Sequence, residues 1–215
     1  NCTFAIRKPI SMSLKKFIEP LKDNLKKQGI ETPFPIQQQS LSLIKGGTNL
    51  FGIGPDGCGK TTTLIISVIQ KLKGVAIDDA PRAMIFVKDK QAALDLQEHF
   101  KIYTKGTDLR IYCAYDEHNL ELQREELYLG IDIVIGTPKR ISKLFFLNSI
   151  HLTELQLFCI EDADFIFRNN IFTDITRITE SIDKCQYLIF ANKFDARFER
   201  FQESFMFNSQ VIIVD

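Results

Sequence analysis

Net charge is absent from this 215-residue sequence, in which 27 lysines and arginines balance 27 aspartates and glutamates. A protein without net charge has no overall field that attracts polyanions. This balance excludes general adsorption to nucleic acid or to an anionic membrane. Any surface that binds nucleic acid must therefore be a local one.

Cysteine is scarce as well, and its spacing forms no motif. The five cysteines lie far apart without a CxxC pair, at Cys2, Cys58, Cys113, Cys159 and Cys185. This pattern argues against the disulfide framework of a small secreted protein and against a zinc site. We therefore expect reduced thiols in an intracellular protein, cytoplasmic first, with a nuclear location left open.

Long apolar runs are also missing. The longest, Leu64–Ile69 and Ile131–Ile135, fall far short of the roughly 20 residues that a membrane-spanning helix needs. No secretory leader opens the sequence, and no repeat or low-complexity tract interrupts it. We expect a soluble protein without a membrane partner.

The sequence does contain enough apolar residues for one core. With 45% hydrophobic and 25% charged residues, a chain of this length buries one sizeable core and is too short for two full domains. We predict a single domain over residues 1–215. The chain begins at Asn1 and stops on the strand-like run Val211–Val214, which indicates a piece of a longer protein.

Short β-branched or aromatic runs alternate with segments of helical period along the whole chain. This alternation is typical of βαβ units, and it predicts an α/β fold with a mainly parallel sheet flanked by helices on both faces. The predicted strands are Leu50–Ile53, Ala83–Val87, Leu109–Cys113, Ile131–Ile135, Leu155–Ile160, Gln186–Phe190 and Val211–Val214. The predicted helices are Leu14–Lys27, Gln37–Lys45, 60–73, 90–101, 118–129, 138–147, 172–182 and 195–205.

The strongest motif is a phosphate-binding loop, GPDGCGKT at residues 54–61. It matches GxxxxGK[ST] and lies between an apolar strand and a helix, which is the context that the motif requires. Backbone N–H groups and the helix N-terminus would face a phosphate, Lys60 would reach the β- and γ-phosphates, and Thr61 would offer a hydroxyl to Mg²⁺. The predicted nucleotide contacts here are Pro55, Asp56, Gly57, Cys58, Gly59, Lys60, Thr61 and Thr62.

Cys58 has two interpretations. A thiol at a helix N-terminus can have a lowered pKa, which would make the loop sensitive to oxidation. Alternatively, Cys58 is a small residue that the loop tolerates.

The segment GIETPFPIQ at residues 29–37 resembles the Q motif, GxxxPTPIQ, of DEAD-box RNA helicases. The resemblance implies the first RecA-like P-loop lobe of such a helicase, with residues 1–48 as its N-terminal helices. It further implies that ATP is the nucleotide and that Gln37 reads the adenine edge, with Phe17 as the aromatic that stacks on the base. Phe34 replaces the family's threonine, so one polar contact with the phosphate loop should be missing.

Residues 137–140, TPKR, are similar to the family's TPGR run. The resemblance implies that Thr137 and the helix starting at Pro138 hold an RNA phosphate with support from Arg140. The alternative is an ordinary helix N-terminus with proline in its first turn.

Two further RNA motifs of the family depart more strongly from its pattern. KDKQA at 88–92 replaces PTREL, and a Gly–Gly turn is lost near Ala114–Tyr115. Lys88 and Lys90 remain candidate phosphate ligands, although charged residues at a strand end are often simply solvated. A single lobe with two to four such contacts would bind single-stranded RNA weakly, with a salt slope of about −0.7 per contact.

The catalytic tetrad is altered. EDAD at residues 161–164 aligns with the family's DEAD, but its first two acids are exchanged. The resemblance assigns the Mg²⁺ shell to Glu161 and activation of water to Asp162. Octahedral Mg²⁺ sites tolerate little change in arm length, and misplacing a catalytic group by about 1 Å can cost roughly 10²-fold in rate. We therefore expect intact Mg-ATP binding with weakened hydrolysis.

The family's SAT motif, which couples ATP to RNA, aligns with Ala191–Lys193 and has lost both hydroxyls. This loss predicts weak coupling and doubtful unwinding.

Three functional hypotheses remain open at this stage. The first is the nucleotide- and RNA-binding lobe of an ATP-dependent RNA helicase, whose second RecA-like lobe is absent from this chain. The second is a hydrolysis-deficient scaffold that binds nucleotide, RNA and protein partners, analogous to divergent Tudor-associated helicase-like proteins of small-RNA pathways. The third, an unrelated P-loop kinase or GTPase, leaves Gln37 and residues 137–140 unexplained.

Overall fold

A computed structural model describes residues 17–167 and 171–215. Its strands are β1 (Leu50–Ile53), β2 (Ala83–Phe86), β3 (Ile111–Ala114), β4 (Ile133–Gly136), β5 (Leu157–Ile160), β6 (Gln186–Ala191) and β7 (Gln210–Ile213). Its helices are α1 (Glu19–Lys27), α2 (Pro35–Lys45), α3 (Lys60–Lys71), α4 (Lys90–Tyr103), α5 (Leu120–Tyr128), α6 (Pro138–Phe146), α7 (Ile171–Thr179) and α8 (Glu199–Ser204).

The seven strands form one sheet in the order β3-β4-β2-β5-β6-β1-β7, and every pairing is parallel. The predicted α/β class is therefore confirmed. In a parallel sheet all strands end at the same edge, which is where ligands of open α/β sheets bind. The phosphate loop follows β1, the acidic tetrad follows β5, and Thr137 follows β4.

Both faces of the sheet are buried, as parallel sheets require. Alternate strand residues such as Leu50 and Ile85 pack with apolar residues of α1 to α4 on one face. Their neighbours Phe51 and Met84 pack with residues of α5 to α8 on the other. Helices thus cover both faces. The edge that carries the phosphate loop, the tetrad and Thr137 is therefore supported by a packed core on each side of the sheet.

The element boundaries differ from the sequence prediction in a few places. The first two helices begin with a proline in the first turn, Pro20 in α1 and Pro35 in α2, because the fixed φ of proline suits that position. Residues 14–16 of the first predicted helix lie outside the described residues. The predicted helix 195–205 is divided into a 3₁₀ turn, Ala196–Phe198, and α8. Within residues 17–167 and 171–215, no helix is long and apolar enough to span a bilayer.

A buried ion triad joins three strands at the opposite edge of the sheet. Asp132 is fully buried, and its carboxylate lies 2.6 Å from Nη2 of Arg82 and 2.9 Å from Nε of Arg110. Burial raises the pKa of Asp132, but hydrogen bonds from Arg110 and Arg82 outweigh burial and hold the pKa below its usual value. The triad fixes the starts of β2, β3 and β4, far from the nucleotide edge.

Candidate nucleotide site and RNA-facing edge

The phosphate loop has the backbone that its glycines predict. Gly57 and Gly59 have φ of 83° and 97°, a region that strongly favours glycine. A Cβ at Gly54 would come within 2.6 Å of Val214 and 2.8 Å of the Cys58 sulfur. The loop therefore curls tightly against β7 and leads directly into the N-terminus of α3, where free N–H groups can bind an anion.

Lys60 lies folded across this loop. Its side chain is buried, and Nζ donates to the carbonyl oxygens of Gly54 at 2.7 Å and Pro55 at 3.0 Å. The third acceptor is Oδ1 of Asn192, at 2.7 Å. The Asp56 carboxylate lies farther away, at 3.8 Å. All three ammonium protons thus have an acceptor within hydrogen-bond distance.

Gln37 projects from the first turn of α2 into the protein interior. It is fully buried, and its Oε1 accepts the backbone N–H of Phe34 at 3.0 Å. Its Nε2 has no hydrogen-bond partner within the described part of the chain. A buried amide nitrogen without a partner is costly, so this donor is available for a ligand that enters from the nucleotide edge.

Phe34 joins the Q-motif segment to the phosphate loop. Its ring carbon Cδ2 lies 3.0 Å from the position that a Cβ of Gly59 would occupy. The polar contact of the family's threonine is replaced by an apolar one. Phe34 is still 43% exposed.

Phe17 and Thr62 have side-chain surroundings that the sequence did not predict. Phe17 packs in an apolar hollow with Leu41, Ile44 and Ile66, in the second halves of α2 and α3. Thr62 lies in the first turn of α3 near Tyr103 of α4. Burial raises the pKa of Tyr103, and the Thr62 hydroxyl lowers it. The stacking of Phe17 on adenine stays a prediction.

The two exchanged acids of the tetrad have distinct environments. Thr61 and Glu161, the residues predicted for the Mg²⁺ shell, lie close together and line the same cavity. Burial raises the pKa of Glu161 to about 7, while the Thr61 hydroxyl lowers it and the nearby Asp162 charge raises it. Burial also raises the pKa of Asp162, whose backbone has a left-handed φ of 46°. Such a φ is uncommon outside glycine, although aspartate tolerates it better than most residues.

The acids open on a cavity of about 300 Å³ beside α4, which Thr61, Lys88 and His99 also line. The positive charge of Lys88 lowers the pKa of both Glu161 and Asp162. Lys90 points elsewhere, with Nζ 5.1 Å from the ring centroid of Tyr115. The two lysines that were predicted to bind RNA therefore lie in different environments, Lys88 beside the acids and Lys90 beside the Tyr115 ring.

The predicted phosphate ligands after β4 converge on an acid that sequence reasoning missed. Thr137 donates its hydroxyl to the Asp116 carboxylate at 3.3 Å. Nε of Arg140 lies 3.5 Å from the same carboxylate, and the guanidinium also donates to the Asp116 carbonyl. Pro138 opens α6 beside them. The structure brings Thr137 and Arg140 together, with Asp116 where an anion would bind.

Comparison with known proteins agrees with this geometry. The DEAD/DEAH box helicase family matches residues 34–196. This chain belongs to that family. Its fold is that of the N-terminal RecA-like lobe of DEAD-box proteins, since a DEAD box protein from Methanococcus jannaschii superposes with a TM-score of 0.84 at 19% identity, over 93% of this chain and 54% of that one. Yeast Prp28, a DEAD-box splicing factor, gives 0.85 at 19% identity, over 95% and 51%.

Three curated relatives are named as ATP-dependent RNA helicases. The chain is 27% identical over 214 residues to the pre-mRNA-processing ATP-dependent RNA helicase PRP5 of Meyerozyma guilliermondii, covering 96% of this chain and 24% of the relative. It is 31% identical over 157 residues to the ATP-dependent RNA helicase DBP10 of that yeast, covering 73% and 17%. The human probable ATP-dependent RNA helicase DDX46 is 28% identical over 188 residues, 85% of this chain and 18% of the relative. The chain thus spans about a quarter or less of these DEAD-box relatives.

One contact of this DEAD-box lobe was not expected from the altered SAT motif. Asn192, the middle residue of the aligned segment, donates its backbone N–H to Asp164 at 3.0 Å. Its side chain contacts Lys60, as described above. The position therefore joins the phosphate loop to the acidic tetrad without a hydroxyl group.

Proposed function

We propose that residues 1–215 form the first lobe of a DEAD-box ATP-dependent RNA helicase, which binds Mg-ATP and single-stranded RNA and hydrolyses ATP slowly. In this proposal residues 1–48 supply the N-terminal helices and a second RecA-like lobe lies outside this chain. The observation that carries the proposal is the phosphate loop with its helix N-terminus, Lys60 and the Thr61–Glu161 pair at one edge of the sheet.

Two features support ATP as the nucleotide. The curled loop provides backbone N–H groups for the phosphates, with Lys60 close by. Gln37 offers a buried amide group whose nitrogen is free within the described residues, and an amide pairs a donor with an acceptor as the adenine edge does. Calorimetry of this lobe with Mg-ATP tests the proposal, and binding of GTP in preference to ATP would contradict it.

Thr61 and Glu161 are the residues that would hold Mg²⁺. A hydroxyl and a carboxylate are hard oxygen ligands, which Mg²⁺ prefers. The bound ion would neutralise charge on the phosphates. Because Glu161 is one methylene longer than aspartate and Asp162 one shorter than glutamate, we expect the metal shell and the activated water to be misaligned.

The exchange of the two acids is tested by reversing it. In the full-length protein, Glu161→Asp/Asp162→Glu should raise RNA-stimulated ATP turnover by about 10- to 100-fold, since a misplacement of about 1 Å has an effect of that size. Mg-ATP affinity should change little, because total charge is preserved. A double variant that binds Mg-ATP normally and shows no faster turnover would contradict the proposal that the exchange limits hydrolysis.

RNA binding is proposed for the edge after β2 and β4. Thr137 and Arg140 lie together there, and Nη1 of Arg140 has no hydrogen-bond partner within the described residues. Lys88 and Lys90 would add charge near the same edge. With few phosphate contacts, the lobe should bind single-stranded RNA weakly and with a shallow salt dependence.

A nucleotide-dependent scaffold is the second candidate function. The exchanged acids and the absence of hydroxyl groups at Ala191 and Lys193 favour it, because both changes affect turnover and coupling more than binding. Nucleotide that raises the unfolding temperature without being hydrolysed in the full-length protein would support the scaffold. The four described cysteines are free, which agrees with our proposal of an intracellular, cytoplasmic or nuclear, setting for either function.

A further inference from the structure

Asn192 makes contacts in two directions from its position directly after β6. Its side-chain Oδ1 accepts a hydrogen bond from Nζ of Lys60 at 2.7 Å. Its backbone N–H donates to Oδ2 of Asp164 at 3.0 Å. One exposed residue thus connects the phosphate loop to the acidic tetrad.

The Lys60 ammonium has no proton to spare in this arrangement. It has three protons, and Gly54, Pro55 and Asn192 supply three acceptors within 3.0 Å. Since Lys60 is only 6% exposed, water does not readily replace a lost partner. A phosphate oxygen can therefore bind Nζ only when one of the three acceptors leaves.

Of the three acceptors, the Asn192 amide is the one held least firmly. The Gly54 and Pro55 carbonyls belong to the loop backbone, and the Gly54 N–H is itself bonded to the carbonyl of Ala191 at 3.1 Å. Asn192 is exposed, and its amide can leave by rotation of the side chain alone. Side-chain rotamers interconvert far more easily than a strand end or a packed loop moves.

We propose that Asn192 is a latch residue: its side-chain amide holds Lys60 in the nucleotide-free protein and must release it before a phosphate binds. The proposal rests on the proposed binding of ATP at the phosphate loop. The latch lowers ATP affinity, because part of the binding free energy is spent on breaking the Lys60–Asn192 hydrogen bond.

The same residue also contacts the acidic tetrad. Asp164 lies in the 3₁₀ turn Ala163–Phe165, two residues after Asp162, and it accepts the backbone N–H of Asn192. The latch thus lies where the phosphate loop and the tetrad meet, although Ala191 and Lys193 have no hydroxyl group.

The test compares ATP affinity of this lobe before and after removal of the amide. We expect Asn192→Ala to bind Mg-ATP about three- to tenfold more tightly than wild type, because one hydrogen bond with an exposed partner no longer has to break. Gln202→Ala is the matched control. Gln202, on α8, also makes one side-chain amide hydrogen bond, to the Ser209 hydroxyl at 3.1 Å, and its removal should leave ATP affinity unchanged.

A second readout does not require an ATP titration. Asn192→Ala should lower the unfolding temperature of the nucleotide-free lobe, and saturating Mg-ATP should abolish this difference. In wild type, the backbone amide resonance of Asn192 should shift when ATP binds.

The possible outcomes separate the latch from ATP binding itself. A wild-type lobe that binds no ATP contradicts the proposed function. A wild-type lobe that binds ATP while Asn192→Ala binds equally or more weakly overturns the latch, and a weaker Asn192→Ala would instead identify Asn192 as a phosphate contact.

Discussion

The nucleotide half and the RNA half of the functional edge hold their cations in different ways. After β1, the three hydrogen-bond acceptors of Lys60 are neutral oxygens, and the Asp56 carboxylate lies outside hydrogen-bond distance at 3.8 Å. After β4, Arg140 and Thr137 are bound by the carboxylate of Asp116. A phosphate displaces neutral acceptors readily, whereas a carboxylate competes with it for the same donors and also repels it.

This difference predicts that the departures of this sequence from the family motifs affect ATP binding and RNA binding unequally. The nucleotide half keeps donors that a phosphate can reach after a small rearrangement. The RNA half contains an anion of its own, which must move before an RNA phosphate binds. We therefore expect ATP binding to be well preserved and RNA binding to be attenuated.

The buried Asp132–Arg82–Arg110 triad at the opposite edge of the sheet serves as a comparison for Asp116, because the Asp132 carboxylate is buried between two arginines and is not exchanged for a phosphate. Asp132→Asn leaves Arg82 and Arg110 without their anion in the interior, where breaking a buried ion pair costs about 3–5 kcal/mol. We expect the free energy of unfolding, measured with urea at pH 7, to fall by about this amount. Glu180→Gln, at an exposed position, is the control that should change it little.

The pH dependence of this loss has a definite sign. Because the folded-state pKa of Asp132 is lowered, its stabilising effect is present above the unfolded-state pKa of about 3.9 and is lost as pH falls through the lower folded-state value. The stability difference between wild type and Asp132→Asn should therefore shrink below about pH 4. A difference that stays constant down to pH 2 would show that the triad acts through shape rather than charge.

Removing Lys60, the cation of the nucleotide half, tests directly whether ATP binding and RNA binding depend on different residues. We expect Lys60→Ala to weaken Mg-ATP binding by about 100-fold, the upper range for hydrogen bonds with a charged group. RNA binding measured without nucleotide should stay unchanged, because Lys60 lies after β1 and not at the RNA-facing strands. Lys71→Ala, which removes an exposed lysine from the end of the same helix, should affect neither. Equal losses of ATP and RNA binding in Lys60→Ala would contradict the division into two halves.

The sequence was sufficient to predict the sheet and the placement of the main motifs. All seven strands were found within two residues, because each is a short apolar run bounded by turn residues. The phosphate loop and the Thr137–Arg140 group follow from motifs whose spacing depends only on the local chain. Local patterns of this kind are what a single sequence encodes most directly.

The contacts that were missed are those between residues distant in the chain. Asn192 and Lys60 are 132 residues apart, and Asp116 and Arg140 are 24 apart. The packing of Phe17 against α2 and α3 was likewise not predicted from the sequence. No periodicity marks such pairs, since their meeting depends on the strand order of the sheet.

Neutralising Asp116 tests the RNA half, with the smallest expected effect. Asp116→Asn keeps the shape of the side chain but removes the charge that competes with an RNA phosphate. We expect about three- to tenfold tighter binding of a fluorescent single-stranded oligonucleotide, and a salt slope steeper by about 0.7 because one more phosphate contact forms. Glu117→Gln removes the same charge from the next residue, which is exposed, and should have less effect on affinity and none on the slope. If both variants bind RNA equally, the general loss of negative charge explains the change, and Asp116 does not occupy the phosphate position.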